Sequence, residues 1–85
     1  MKNTPNWTDL WFDHQRAVLA TMHRNLADDL EAGYHPESNT IREQREDIRK
    51  REEQFEMEAD RLRDMSEGAA KHWCYIDLKK NGVIE

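Results

Sequence analysis

The sequence predicts an all-α protein, a helical hairpin of one short and one long helix, on three observations. An apolar arc at helical spacing runs through the first third of the chain, an apolar row recurs every seven residues through the rest, and Gly33 and Pro36 punctuate the segment between them. No stretch alternates in the two-residue period of a strand. The expected layout is a single domain, residues 1–85, with helix 1 over about residues 8–32, a turn over 33–39 and helix 2 over about 40–80.

Helix 1 has two candidate starts. Thr4 followed by Pro5 reads as an N-cap with proline at the first helical position, and Thr8 followed by Asp9 reads as a cap with an acid in the first turn. Thr8 is the preferred start, with Thr4-Pro5 as an extra turn. Placed at helical spacing, Trp7, Phe12, Trp11, Val18, Leu19, Met22, Leu26 and Leu30 fall within about 140° of arc. Asp9, Asp13, Arg16, Arg24 and Glu31 lie opposite. The helix should stop at Ala32, because Gly33 accepts the left-handed conformation that closes a helix and Pro36 forces its predecessor into an extended step.

Helix 2 opens on Thr40-Ile41-Arg42-Glu43, a capping-box pattern. Ile41, Ile48, Phe55, Leu62, Ala69 and Ile76 then recur every seventh residue. Such a row needs left-handed supercoiling to stay against a partner, so a coiled-coil-like helix assembling into a larger bundle is expected. The row is narrow near the turn, where its companions are Gln44, Arg45, Arg51 and Glu52, and broadens toward the C-terminus. Gly68 interrupts the run, and with Ser66 it permits a kink or a break that folds a third short helix back. The continuous helix is the preferred reading. Lys79 and Lys80 suit the negative end of the helix dipole, and Asn81-Gly82 terminates it.

The lengths of the two helices make the hairpin uneven. Helix 1 spans roughly 36 Å and helix 2 roughly 60 Å, so the C-terminal part of helix 2 outruns helix 1. Trp73, Tyr75, Ile76 and Leu78, with Met65 before them, then lie at the end that also holds Trp7 and Trp11. These seven residues are the candidate protein-interaction site. Helix 1 also offers its broad apolar face to a one-row stripe, which would leave part of that face wet in an isolated chain.

A chain of 85 residues buries only about 60 to 65% of its unfolded surface. One cysteine, Cys74, forms no internal disulfide and suits a reducing compartment, so a cytoplasmic location is expected. The start of the chain shows no signal peptide pattern, and no apolar run is long enough to cross a bilayer. The net charge of −5 argues against direct nucleic-acid binding through phosphate neutralisation. Residues 1–41 carry −3, residues 42–64 carry −2 in a dense mixture of seven bases and nine acids, and residues 65–85 carry zero. Glu46 to Lys50, Asp47 to Arg51 and Glu67 to Lys71 are helix-supporting pairs four residues apart.

No constellation in the sequence carries catalysis. His14, His23, His35 and His72 stand at no helical ligand spacing, and His72 and Cys74 diverge on a helix, so no metal or other cofactor is expected. Cys74 lacks the electropositive surroundings of a nucleophile. Glu52-Glu53-Gln54-Phe55-Glu56 resembles the Glu-Glu-x-x-Glu that opens the magnesium site of all-helical nucleotide pyrophosphohydrolases. The resemblance ends there, since the Glu-x-x-Asp that family needs on a following helix is missing from the chain.

Two function classes fit these observations, neither an enzyme. The first is a small helical interaction module that self-associates or docks on a protein partner through the tryptophan-rich end. The alternative is an acidic inhibitor, of the sort small phage-encoded proteins provide, whose carboxylates occupy the basic nucleic-acid groove of a host enzyme. A true phosphate mimic should show a face of one sign, whereas residues 42–64 are nearly balanced.

Overall fold

A computed structural model describes residues 6–84 of the chain. The fold is all-α, with α1 spanning Trp7–Glu31, α2 spanning Asn39–Asp64 and α3 spanning Glu67–Lys80. There are three helices rather than two, and no strand, among the described residues. The molecule is elongated, 51 × 28 × 18 Å. No helix of the described residues is long and apolar enough to cross a membrane.

The N-terminus of α1 is capped by Asn6 rather than Thr8. The Asn6 side-chain oxygen accepts from the backbone N–H of Thr8 at 3.1 Å and of Asp9 at 3.4 Å, pairing two amides that have no partner within the helix. Asparagine is among the strongest capping residues, and it sits where the chain is still extended. The Thr4-Pro5 start lies outside the described residues.

Gly33 ends α1 as its position predicts. Its φ of 105° lets Gly33 N–H reach the Leu30 carbonyl at 3.2 Å and Tyr34 N–H reach that of Asp29 at 3.1 Å, the paired bonds of a Schellman motif. Gly82, at φ 75°, closes α3 in the same way onto Lys79 and Leu78. The cap of α2 is Ser38, not Thr40. Its hydroxyl accepts from Ile41 N–H at 3.4 Å, so the helix starts at Asn39 and the Thr40 capping box does not form.

The long second helix is broken, and the break falls before Gly68. Met65 and Ser66 are both extended, with ψ of 153° and 155°, and the Ser66 hydroxyl accepts from Ala69 N–H at 3.4 Å to start α3. Two extended residues and a serine cap redirect the chain, and Glu67 in the first turn suits the positive end of the new dipole. Gly68 is an ordinary helical residue with open space where a Cβ would stand.

The break also resets the face of the helix that turns inward. Ile41, Ile48 and Leu62 are buried and Phe55 packs against the core, as the seven-residue row predicts. Beyond Ser66 the row fails: Ala69 and Ile76 are exposed, and Ala70, Cys74 and Leu78, one helical turn apart, point inward instead. α3 lies against α1, with Tyr75 beside Trp7 and Trp73 beside Trp11, so the C-terminal segment folds back onto the start of α1.

Candidate interaction surface

Trp11 organises the end where three helices meet. Its side chain is 0% exposed and forms a cluster with Leu62 of α2 and Ala70, Cys74 and Leu78 of α3. Its ring meets Phe12 edge-on at 5.1 Å and Trp73 at 5.5 Å, and lies tilted against Phe55 at 5.8 Å. Its indole N–H donates to the Asp77 carboxylate at 2.9 Å, so the single polar group of a buried ring is satisfied. Trp7 stacks edge-on with Tyr75 at 5.0 Å.

The seven residues singled out from the sequence therefore gather at one end, but mostly inside it. Trp11 and Leu78 are fully buried, while Trp7, Met65, Trp73 and Tyr75 are half-buried in contacts within the chain. Ile76 alone stays open to solvent, at 50%. Folding back α3 supplies the cover that an overhanging helix would have left to a partner. Cys74 is buried too, and burial pushes its thiol above the ordinary cysteine range against the opposing effect of a hydrogen bond from Thr8. That is the reverse of an activated thiol. Among the described residues no group of histidine, cysteine and carboxylate side chains is arranged to hold a metal ion.

Beyond Gln15 the packing changes character. No residue of α1 after Gln15 is fully buried, and the inward residues of the facing stretch of α2 are Ile41 and Ile48 alone. Val18, Leu19, Met22, Leu26 and Leu30 remain half-exposed although they continue the apolar arc. Along α1 an open groove of about 310 Å³ is lined by His14, Ala17, Val18, Thr21 and Met22. A second groove shares Met22 and runs between the helices along Asn25, Gln44, Asp47 and Ile48. Together they form a seam with an apolar floor.

The polar groups along that seam, His14, Thr21, Asn25, Gln44 and Asp47, include donors and acceptors. Asp47 lines it, and Asp28 follows Thr21 by seven residues and so lies within about 20° of it on the helix. The Gln44 amide N–H donates to the Asp29 carboxylate. That bond fixes the orientation of the amide, since turning it over would set oxygen against oxygen. Gln44 Oε1 is left buried with no hydrogen-bond partner among the described residues. No lysine or arginine lines either groove.

The ion pairs expected from the sequence form only in part. Glu67 pairs with Lys71 at 3.1 Å, but Glu46 pairs with Arg49, whose guanidinium hydrogen-bonds the Glu46 carboxyl and holds it below its ordinary range. Arg51 donates to Gln15 Oε1 at 2.8 Å instead of pairing with Asp47. Gln15 is only 3% exposed, a buried polar contact between α1 and α2 that periodicity does not reveal.

The other flank of the helix pair is different. There Phe12, Arg16, Phe55, Glu56, Ala59, Asp60 and Arg63 line a groove of mixed sign. Charge is also uneven along the molecule: residues 24–47 carry seven acids and three bases, −4 of the total −5. Comparison of the chain with protein-family models, curated proteins and solved structures finds no match.

Proposed function

We infer that the chain is a non-catalytic helical interaction module that presents the open half of the α1 and α2 pair to a protein partner. One observation carries this reading: past Gln15 the apolar arc of α1 continues, and Val18, Met22 and Ile48 line open grooves that nothing among the described residues covers. A continuous apolar strip bounded by polar groups is the usual mark of a contact site. The aromatic end is then the folded base that holds the two long helices in place.

The acidic-inhibitor reading is kept beside it because the negative charge concentrates in residues 24–47. The two differ in what the partner touches. Met22→Glu removes binding through the apolar seam and leaves an electrostatic contact at the acidic tip intact. Replacing Glu31 and Glu37 by their amides does the opposite. Isothermal titration of these variants against a partner at two salt concentrations separates them: an apolar contact holds at high salt and an ionic one fades. A partner that binds both variants as it binds the wild type would defeat both readings.

A further inference from the structure

We propose that the outer face of α2 pairs antiparallel with the same face of a second copy of this chain, on a two-fold axis at Met57; the contact is separate from the open grooves of the proposed function. Met57 is 66% exposed, the most open large apolar side chain among the described residues. It lies about 180° around the helix from Ile48, which is buried. An open groove of about 310 Å³ runs beside it, lined by Lys50, Glu53, Gln54, Met57, Glu58 and Arg61. These residues make two adjoining holes, each bounded by positions i, i+3, i+4 and i+7, of the kind that receives a side chain from a facing helix. Methionine is flexible enough to bend into such a hole.

The charges on either side of Met57 name the occupant. Lys50 and Asp64 stand seven residues before and after it, within about 20° of its direction, and Glu53 and Arg61 stand four before and after, within about 40°. The order is plus, minus, Met57, plus, minus. In an antiparallel pair centred on Met57, a residue before it on one copy meets the residue equally far after it on the other. Glu53 then faces Arg61 and Lys50 faces Asp64, each pair formed twice by symmetry. A parallel pair in register would set every one of these charges against its own kind. Glu53 holds Arg49 at 3.0 Å, whereas Lys50, Arg61 and Asp64 have no ion-pair partner among the described residues. From Lys50 to Asp64 the stripe is 15 residues long, about 21 Å. A helix pair of that length falls short of the roughly 800 Å² per partner of a standard interface, so the contact is weak and reversible.

The test is ultracentrifugation of the full chain from about 10 μM to about 1 mM, with the amide resonances of α2 followed on dilution. The wild type is expected to dimerise toward the upper end of that range and to shift the amides from Lys50 to Asp64. Met57→Glu changes an exposed side chain, so it is expected to keep the circular-dichroism spectrum and to abolish the dimer. Glu53→Arg and Arg61→Glu should each weaken self-association at least about tenfold, because each sets like charges together. The double variant restores opposite signs in the antiparallel register and should associate as the wild type does. A chain that stays monomeric at about 1 mM overturns the proposal. So does a dimer that survives Met57→Glu, or a double variant as weak as the single ones. A dimer lost on Met22→Glu and kept on Met57→Glu also overturns it, and moves the contact to the open grooves.

Discussion

The two ends of this molecule use the same pair of helices and differ in whether a third packs on α1. At the aromatic end α3 packs on α1, and Trp11 has protein on every side. At the other end α1 and α2 face each other alone, and only Ile41 and Ile48 are buried. Sequence hydrophobicity does not separate the two. Helix 1 is apolar along one face through its whole length, from Trp7 to Leu30. The difference comes from the cover, and it teaches that an apolar residue on a helix is core or contact surface according to what lies over it.

The largest effect that sharpens the comparison is Trp11→Ala. Removing a fully buried indole costs about 3 to 5 kcal/mol, a large share of what holds a small domain together. Thermal melting by circular dichroism should show loss of the fold or a steep fall in Tm. Met22→Ala, which shortens an equally apolar side chain on the same helix but at the open end, should cost less than about 1 kcal/mol. Comparable losses at the two positions would erase the distinction between the ends.

Ile48→Ala should fall between them, at about 2 kcal/mol, the low end for a buried isoleucine because the open seam lets neighbouring side chains close in. Hydrogen exchange adds a second view. Amides of α1 after Met22 and of α2 before Ile48 should exchange faster than those around Trp11 and Leu62, since fewer buried contacts oppose local opening. Uniform protection along α1 would mean that the open end is as well held as the aromatic end.

Asp77→Ala should cost about 1 to 3 kcal/mol, because it leaves the Trp11 indole N–H buried without an acceptor. Asp77→Asn keeps an oxygen at that place and should lose less, and urea titration of the two variants reads the difference. Equal losses would mean that the carboxylate matters for its charge rather than for the bond.

How far the sequence reveals all this depends on the range of the interaction involved. The stop at Gly33 is local chemistry, legible because only a residue without a Cβ takes φ 105° at ease. The row of Ile41, Ile48, Phe55 and Leu62 is legible because it repeats. Its continuation through Ala69 and Ile76 is a coincidence of spacing, since the helix it would require is cut at Met65 and Ser66. The tryptophans are correctly brought to one end, but whether they face solvent turns on the direction of α3, which no periodicity encodes. The unmatched width of helix 1 against the narrow stripe of helix 2 does foretell a wet face, and the open seam is where that face lies. Gln15, Gln44 and Asp77 escape sequence reading because their partners, Arg51, Asp29 and Trp11, are distant in the chain.

The smallest effect bears on what makes α3 a separate helix and so on why the two ends differ at all. Gly68 invites the reading that a flexible residue lets the chain bend, yet its backbone is helical and a methyl group there would meet nothing within 4 Å. If the bend belongs to Ser66, then Gly68→Ala should stabilise the protein by about 0.4 to 1 kcal/mol, because alanine narrows the unfolded ensemble without opposing the native conformation. Ser66→Ala should destabilise it by about 1 kcal/mol through loss of the cap to Ala69. Denaturant titration of both variants resolves changes of this size. A loss on Gly68→Ala would transfer the bend to the glycine: α3 would then lie across the aromatic end because that residue yields, and a stiffer chain would draw α2 and α3 into one helix and uncover Trp11.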